Sequence, residues 1–217
     1  KKLNNLQIRD RLTRAFIMVA VILTMVSAIV LVTMIAISRI YASTIVDYGF
    51  AQGDIGRAMS QFADSRSAMR GIIGYDEPDA IQKILSDHET YKSEFIKEFD
   101  NLESSMITQE NKTLYKDIED QLDDYWAFEQ EIIDQGAATD QEQCKLAQDK
   151  ALNELAPMYN SIYDDLTQIM EIKVHKGQEM SNMLTTIIVV LTVVIIIIIT
   201  GSIIFALTLG KGIANSI

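Results

Sequence analysis

The sequence predicts an all-α fold, an antiparallel up-down four-helix bundle flanked by two transmembrane helices. Two runs without a charged residue, 15–37 and 180–210, are long enough to cross a bilayer, because a membrane helix needs about 20 apolar residues. The region between them is polar and acidic, and its apolar residues follow the 4-3 spacing of packed helices. Turn signals divide that region into four helices, which short connections would place antiparallel.

Five segments follow from this pattern. We expect a cytoplasmic tail at 1–14, a first transmembrane helix at 15–37, an extracytoplasmic four-helix domain at 38–183, a second transmembrane helix at 184–207 and the start of a cytoplasmic linker at 208–217. The orientation rests on positive charge, which stays on the cytoplasmic side of a membrane. Five basic residues precede the first apolar run and Lys211 follows the second.

The first bundle helix is expected to continue directly from the first apolar run as far as Gly74. Its apolar stripe is Tyr41, Ile45, Tyr48, Ile55, Met59, Phe62, Met69 and Ile73. Gln52 and Arg66 are polar positions on this stripe. Three glycines on a neighbouring line, Gly49, Gly53 and Gly56, are compatible with close approach of a second helix, as in a homodimer, or with local flexibility.

The other three helices have their own start and stop signals. Gly74 and Pro78 mark the first break, Thr108 is a candidate N-cap for the third helix, and Thr139 or Asp140 for the fourth. Pro157 lies inside the fourth helix and should kink or divide it. The stripes are Ile81, Ile84, His88, Tyr91, Phe95, Phe99, Leu102 and Met106 in the second helix, then Leu114, Ile118, Leu122, Tyr125, Phe128 and Ile132, and finally Leu152, Leu155, Tyr159, Ile162, Leu166 and Ile169.

Charge and composition exclude several functions. Residues 39–179 hold 13 Lys/Arg against 29 Asp/Glu, and an acidic surface of this kind argues against a nucleic-acid partner. The two histidines lack metal-ligand spacing, and no nucleophile motif or phosphate-binding loop is present. We therefore expect no enzymatic activity, no cofactor and no metal site.

Arg66 and Arg70 are the strongest candidates for a ligand site. They lie one helical turn apart near the far end of the first helix, and Arg66 interrupts an apolar stripe. Two guanidinium groups so placed can bind a carboxylate through paired hydrogen bonds. The alternative is that both form structural ion pairs with acidic residues of the other helices. His88, on the core stripe of the second helix, is either a ligand contact or a polar core residue with an internal partner.

The order of these parts resembles a bacterial methyl-accepting chemotaxis protein. Similar stretches are the entry 6–16 (LQIRDRLTRAF), the end of the first helix at 69–75 (MRGIIGY) and 125–132 (YWAFEQEI) in the third helix. Residues 212–217 (GIANSI) resemble the opening of a HAMP linker, which usually has proline where Ser216 stands. Aspartate-type receptors of this family bind ligand through arginines of the first helix. The resemblance therefore implies ligand contacts at Arg66 and Arg70, with Arg57 as a third.

The resemblance also implies a biological setting. We expect a homodimer in the bacterial inner membrane whose sensory domain binds a small carboxylate or amino acid, or a periplasmic binding protein. A shift of the fourth helix would then reach a cytoplasmic signalling domain that acts on a histidine kinase and a coupling protein. The alternatives are the sensory module of a membrane histidine kinase or cyclase receptor, and a structural stalk that binds no ligand.

Overall fold

The computed structural model describes residues 8–137 and 140–214, and these residues are helical with short connections and no strand. The α-helices are α1 (Ile8–Thr44), α2 (Ala51–Ile72), α3 (Pro78–Leu102), α4 (Gln109–Gly136), α5 (Gln141–Lys150) and α6 (Ala156–Ala214). Two π-helical segments, Ile45–Phe50 and Ala151–Leu155, join α1 to α2 and α5 to α6. A 3₁₀ turn, Glu103–Ser105, follows α3.

Residues 44–178 form one compact unit, and this unit is the predicted four-helix bundle. The first bundle helix is the segment Ile45–Phe50 with α2, and α3 and α4 are the second and third. The fourth consists of α5, the segment Ala151–Leu155 and the first part of α6. The chain enters the unit at Thr44 and leaves it at Gln178, and we call this end of the bundle the entry–exit end.

The helix boundaries follow the local signals in the sequence. α2 ends at Ile72, and α3 starts with Pro78 at its first position, where a missing N–H costs nothing. The side chain of Thr108 caps α4 by accepting a hydrogen bond of 3.2 Å from Asn111 N. Asp140 caps α5 by accepting from two backbone N–H groups at 3.0 Å. The other predicted cap, Thr139, lies outside the described residues.

Aromatic rings from all four helices meet at the centre of the bundle. Phe62 of α2 is fully buried and stacks on Phe95 of α3 at 4.8 Å and on Tyr159 of α6 at 4.6 Å between ring centroids. Tyr125 and Trp126 of α4 complete the group at 5.1 and 5.8 Å from the Phe62 ring. The core of the unit thus depends on contacts far apart in sequence, and it holds the helices in a defined register.

Two residues predicted for the core stripes are exposed. Leu152 is 70% exposed, because it lies in the π-helical segment Ala151–Leu155, whose wider turn changes the direction of side chains relative to a regular α-helix. The segment ends two residues before Pro157, which has no N–H to donate within the helix. Proline therefore changes the local helix type instead of ending the helix. Tyr41 is 59% exposed and lies outside the bundle unit.

The two apolar runs lie in a second compact unit, which the structure describes over residues 8–43 and 179–214. Each run lies in a helix that is long and apolar enough to cross a membrane, and an apolar 18-residue stretch of each helix contains no buried residue. Parts of the predicted tail and linker, residues 1–7 and 215–217, lie outside the described residues, and with them Ser216.

Candidate functional site

Arg66 and Arg70 line a single cleft between the first and fourth bundle helices. The cleft has a volume of about 360 Å³, and α2 contributes both arginines together with Met69, while Ile73 follows directly after α2. The fourth helix contributes Gln148, Ala151, Leu152 and Ala156. The cleft lies at the end of α2 remote from the entry–exit end, because α2 begins near that end and finishes at Ile72.

Both charged residues that line the cleft are positive. Its lining residues include two guanidinium groups and no carboxylate. Among the described residues, neither Arg66 nor Arg70 forms an ion pair, although acidic residues outnumber basic ones in this unit. The alternative that both arginines form structural ion pairs finds no support in these contacts. The arrangement can attract a small anion.

Tyr159 fixes the position of the Arg66 side chain. The Arg66 guanidinium carbon lies 4.0 Å from the centroid of the Tyr159 ring, within the range of a cation–π interaction. Tyr159 is itself 7% exposed and stacks on Phe62. Burial raises the pKa of the Tyr159 phenol, and the Arg66 charge opposes that increase. Arg66 therefore has a rigid aromatic support, while Arg70 is exposed.

Gln148 is the polar group that the fourth helix adds to the cleft. Its side-chain Nε2 donates a hydrogen bond of 2.8 Å to Ile73 O, the carbonyl that follows the last turn of α2. This bond joins two lining residues of the cleft, one from each side. Gln148 was not predicted from the sequence, because a glutamine on a polar helix face carries no pattern that distinguishes it from other surface residues.

His88 does not line the cleft. It is 1% exposed, and its Nε2 lies 3.0 Å from Oε2 of Glu129, which is also 1% exposed. The Tyr125 hydroxyl donates to the other carboxylate oxygen of Glu129 at 3.1 Å. Burial, reinforced by the Glu129 carboxylate, raises the pKa of the Tyr125 phenol. The three side chains form a polar network between α3 and α4, as expected for a core histidine with an internal partner.

Arg57 also lies apart from the cleft. It forms ion pairs with Asp54 on its own helix and with Glu98 of α3, the latter at 3.2 Å between Nε and Oε2. The hydrogen bond that Arg57 donates to the Glu98 carboxylate is the main reason that the pKa of Arg57 is raised. Of the four predicted ligand contacts, the structure thus brings Arg66 and Arg70 together and places His88 and Arg57 elsewhere.

One comparison with known proteins gives a match. A family model described as a four helix bundle sensory module for signal transduction matches residues 5–186. No curated protein and no solved structure matches the chain significantly.

Proposed function

The chain belongs to the family of four-helix-bundle sensory modules of methyl-accepting chemotaxis proteins, and we propose that it is the input module of a transmembrane chemoreceptor. In this proposal the bundle binds a small extracellular solute and passes a helix shift through the membrane to a cytoplasmic signalling domain. The module itself carries out no catalysis. The observation that carries the proposal is a cleft with two arginines and no carboxylate.

The cleft favours a small anionic ligand. Its volume of about 360 Å³ is near the lower end of the range for small-molecule sites, roughly 300–1,000 Å³. Paired guanidinium groups suit a carboxylate. An organic acid or an amino acid therefore fits the cleft better than a protein surface. A periplasmic binding protein becomes the better candidate if the experiment below finds no small ligand. His88 and Arg57 are not part of the proposed contact set.

Ligand binding has a direct route to the fourth helix. Arg66 belongs to α2, while its aromatic support Tyr159 and the lining residue Ala156 belong to α6. α6 is continuous from Ala156 to Ala214 and includes the second apolar run. A ligand acts only through different affinities for two arrangements of the protein. We propose that it favours one axial position of α6 relative to α2, and shifts of about 1–2 Å are typical of such changes.

The proposed setting is the bacterial inner membrane. Helices at 15–37 and 184–207 would span the bilayer, the domain at 38–183 would lie outside, and 1–14 and 208–217 would lie in the cytoplasm as a tail and the start of a HAMP linker. The excess of basic residues in the flanks supports this orientation. The partners proposed are a second copy of the chain, a cytoplasmic histidine kinase and a coupling protein.

A thermal-shift screen of the purified 217-residue chain in lipid nanodiscs tests the binding proposal. The panel consists of organic acids and amino acids. A ligand present at 100 times its Kd stabilises the folded state by about 2.7 kcal/mol. We expect at least one carboxylate to raise the melting temperature, and expect Arg66→Ala and Arg70→Ala to abolish that increase.

The control is Lys145→Ala, which removes an exposed cation of the same unit that does not line the cleft. It should leave the ligand-induced shift unchanged. A ligand whose effect survives both arginine substitutions would place the site elsewhere. If the whole panel has no effect, a protein ligand or a stalk without ligand becomes the better explanation.

A further inference from the structure

A lysine lies in the interior of the bundle at the entry–exit end. Lys173 of α6 is 0% exposed, although lysine is rarely buried completely unless its charge is paired. Among the described residues no carboxylate lies within ion-pair distance of its ammonium group. Burial lowers the pKa of Lys173, and the nearby Asp47 charge only partly offsets this effect. Such a residue is costly to keep in a core, so its contacts require an explanation.

Backbone carbonyls hold the ammonium group. Lys173 Nζ donates to Asp47 O at 3.0 Å and to Ser105 O. The Tyr48 ring centroid lies 5.6 Å away, which adds a weak cation–π contact. Asp47 belongs to the π-helical segment Ile45–Phe50 of the first bundle helix, and Ser105 ends the 3₁₀ turn after α3. One side chain therefore connects the fourth helix to the first helix and to the connection between the second and third.

The same two helices are tightly packed one turn further along α6. A Cβ atom added to Gly177 would lie 3.2 Å from Tyr48 Cβ, so the backbone of α6 lies close to the first helix at this point. Close backbone contact permits few relative positions of two helices, and a buried hydrogen-bonded cation selects among them. Residues 173–177 of α6 thus combine a steric contact with a polar one.

We propose that Lys173 is a latch that sets the axial position of the fourth helix relative to the first at the entry–exit end. If Lys173 keeps its rotamer, a slide of α6 by about 2 Å, the upper end of helix shifts at interfaces, lengthens the 3.0 Å bond to Asp47 O beyond the normal range of a hydrogen bond. Signalling therefore has to exchange the contacts of Lys173, which makes the two positions of α6 discrete. The inference rests on the proposed function only in taking α6 as the helix that moves.

Spin-label distance measurements on the 217-residue chain in lipid nanodiscs test the latch without any ligand. One label is attached at Ser60→Cys of α2 and the other at Gln168→Cys of α6, both exposed positions. The background substitution Cys144→Ser keeps a donor for Gly136 O, to which the Cys144 thiol donates. The test variant is Lys173→Met, which fills a similar volume without N–H donors. The control is Lys145→Met, at an exposed lysine of α5.

We expect Lys173→Met to move the mean distance between the two spin labels by about 1–2 Å or to broaden the distance distribution. The distribution for Lys145→Met should coincide with that of the parent chain. A distribution for Lys173→Met that coincides with the parent would overturn the latch, even if the variant melts at a lower temperature. If circular dichroism shows that Lys173→Met loses helicity, Lys173→Gln replaces it as the test variant, because the glutamine amide is too short to reach both carbonyls. Its distance distribution is compared with that of the parent in the same way. Because no ligand is used, this result is independent of the cleft.

Discussion

The two ends of the bundle use cations in opposite ways. In the cleft, Arg66 and Arg70 have no carboxylate partner within the part of the chain that the structure describes, and Arg70 is exposed to solvent. At the entry–exit end, Lys173 is completely buried and donates to two carbonyls of other segments. A hydrated cation without a partner is available to a ligand, whereas a buried cation has to be satisfied by the protein itself. This difference matches the two proposals, which place ligand recognition at one end and control of helix position at the other.

Both ends also contain a π-helical segment of a bundle helix. Ala151–Leu155 supplies two lining residues of the cleft, and Ile45–Phe50 supplies the carbonyl that accepts from Lys173. π-helical turns inside α-helices occur frequently at functional sites, because they redirect side chains and backbone groups. Here one redirects Leu152 out of the core towards the cleft, and the other lies where the first helix meets the buried lysine.

Lys173→Ala should have the largest effect on stability of the substitutions at the two ends. The substitution leaves a cavity and removes the donor of two carbonyls. We expect these losses to exceed the gain from no longer burying a charge. The free energy of unfolding should fall by about 2–3 kcal/mol, as measured by chemical denaturation of the chain in nanodiscs.

The matched variant at the other end is Arg70→Ala. An exposed arginine without an ion pair contributes little, and we expect a change within about 0.5 kcal/mol. A loss at Arg70 equal to that at Lys173 would contradict the division of roles between the two ends.

Gly136→Ala should have the next largest effect, because neighbouring side chains pack very closely against this glycine near the cleft. A Cβ atom at residue 136 would lie 2.8 Å from Ile73 Cβ and 3.1 Å from Ala147 Cβ. Relieving this overlap should cost about 1–3 kcal/mol and move Ile73, which lines the cleft. A lower melting temperature and weaker ligand-induced stabilisation would both follow.

Gly53→Ala serves as the control for Gly136→Ala. The nearest atom to a Cβ there is Arg57 Nη1 at an ordinary 3.7 Å, so alanine should instead stabilise the helix by about 0.5–1 kcal/mol. Equal destabilisation by both substitutions would show that packing at Gly136 has no special role.

Tyr115→Phe tests the entry–exit end at alkaline pH and should have the smallest effect at neutral pH. Burial, with contributions from Glu103 and Asp100, raises the pKa of the Tyr115 phenol to about 12. The folded state keeps this proton, while the unfolded state loses it near pH 10. The stability that the protonated Tyr115 phenol gives the folded state is therefore complete below pH 10 and is lost as the pH rises towards 12. The parent chain should therefore lose stability between pH 10 and pH 12 more steeply than Tyr115→Phe. Parallel melting curves over that interval would exclude the effect.

Much of the fold was predictable because its signals are local. Gly74 and Pro78 end one helix and start the next, and Thr108 and Asp140 cap α4 and α5 as their residue types predict. The 4-3 spacing correctly identified the buried faces around Phe62, Phe95 and Ile162. It was wrong at Leu152, since a spacing rule assumes a regular α-helix through a segment that is π-helical.

The site was predictable only in part. The one-turn spacing of Arg66 and Arg70 indicated a shared location, and the structure places both in one cleft. Gln148 and the Tyr159 support come from the fourth helix, and no local pattern relates them to α2. For Lys173 a signal did exist, since continuing the 4-3 spacing from Leu166 and Ile169 reaches residue 173. A lysine on a core stripe is a reason to look for a buried cation.

The helices, their caps, the two apolar runs and the acidic character of the bundle could be predicted from the sequence, because each depends on residues near one another in the chain. Tertiary structure alone decided which cations have partners. Arg66 lies over a ring 93 residues further along the chain, and Lys173 donates to a carbonyl 126 residues before it. Whether a charged side chain binds a ligand or its own protein depends on burial and on distant neighbours, and only the packing of the four helices sets both.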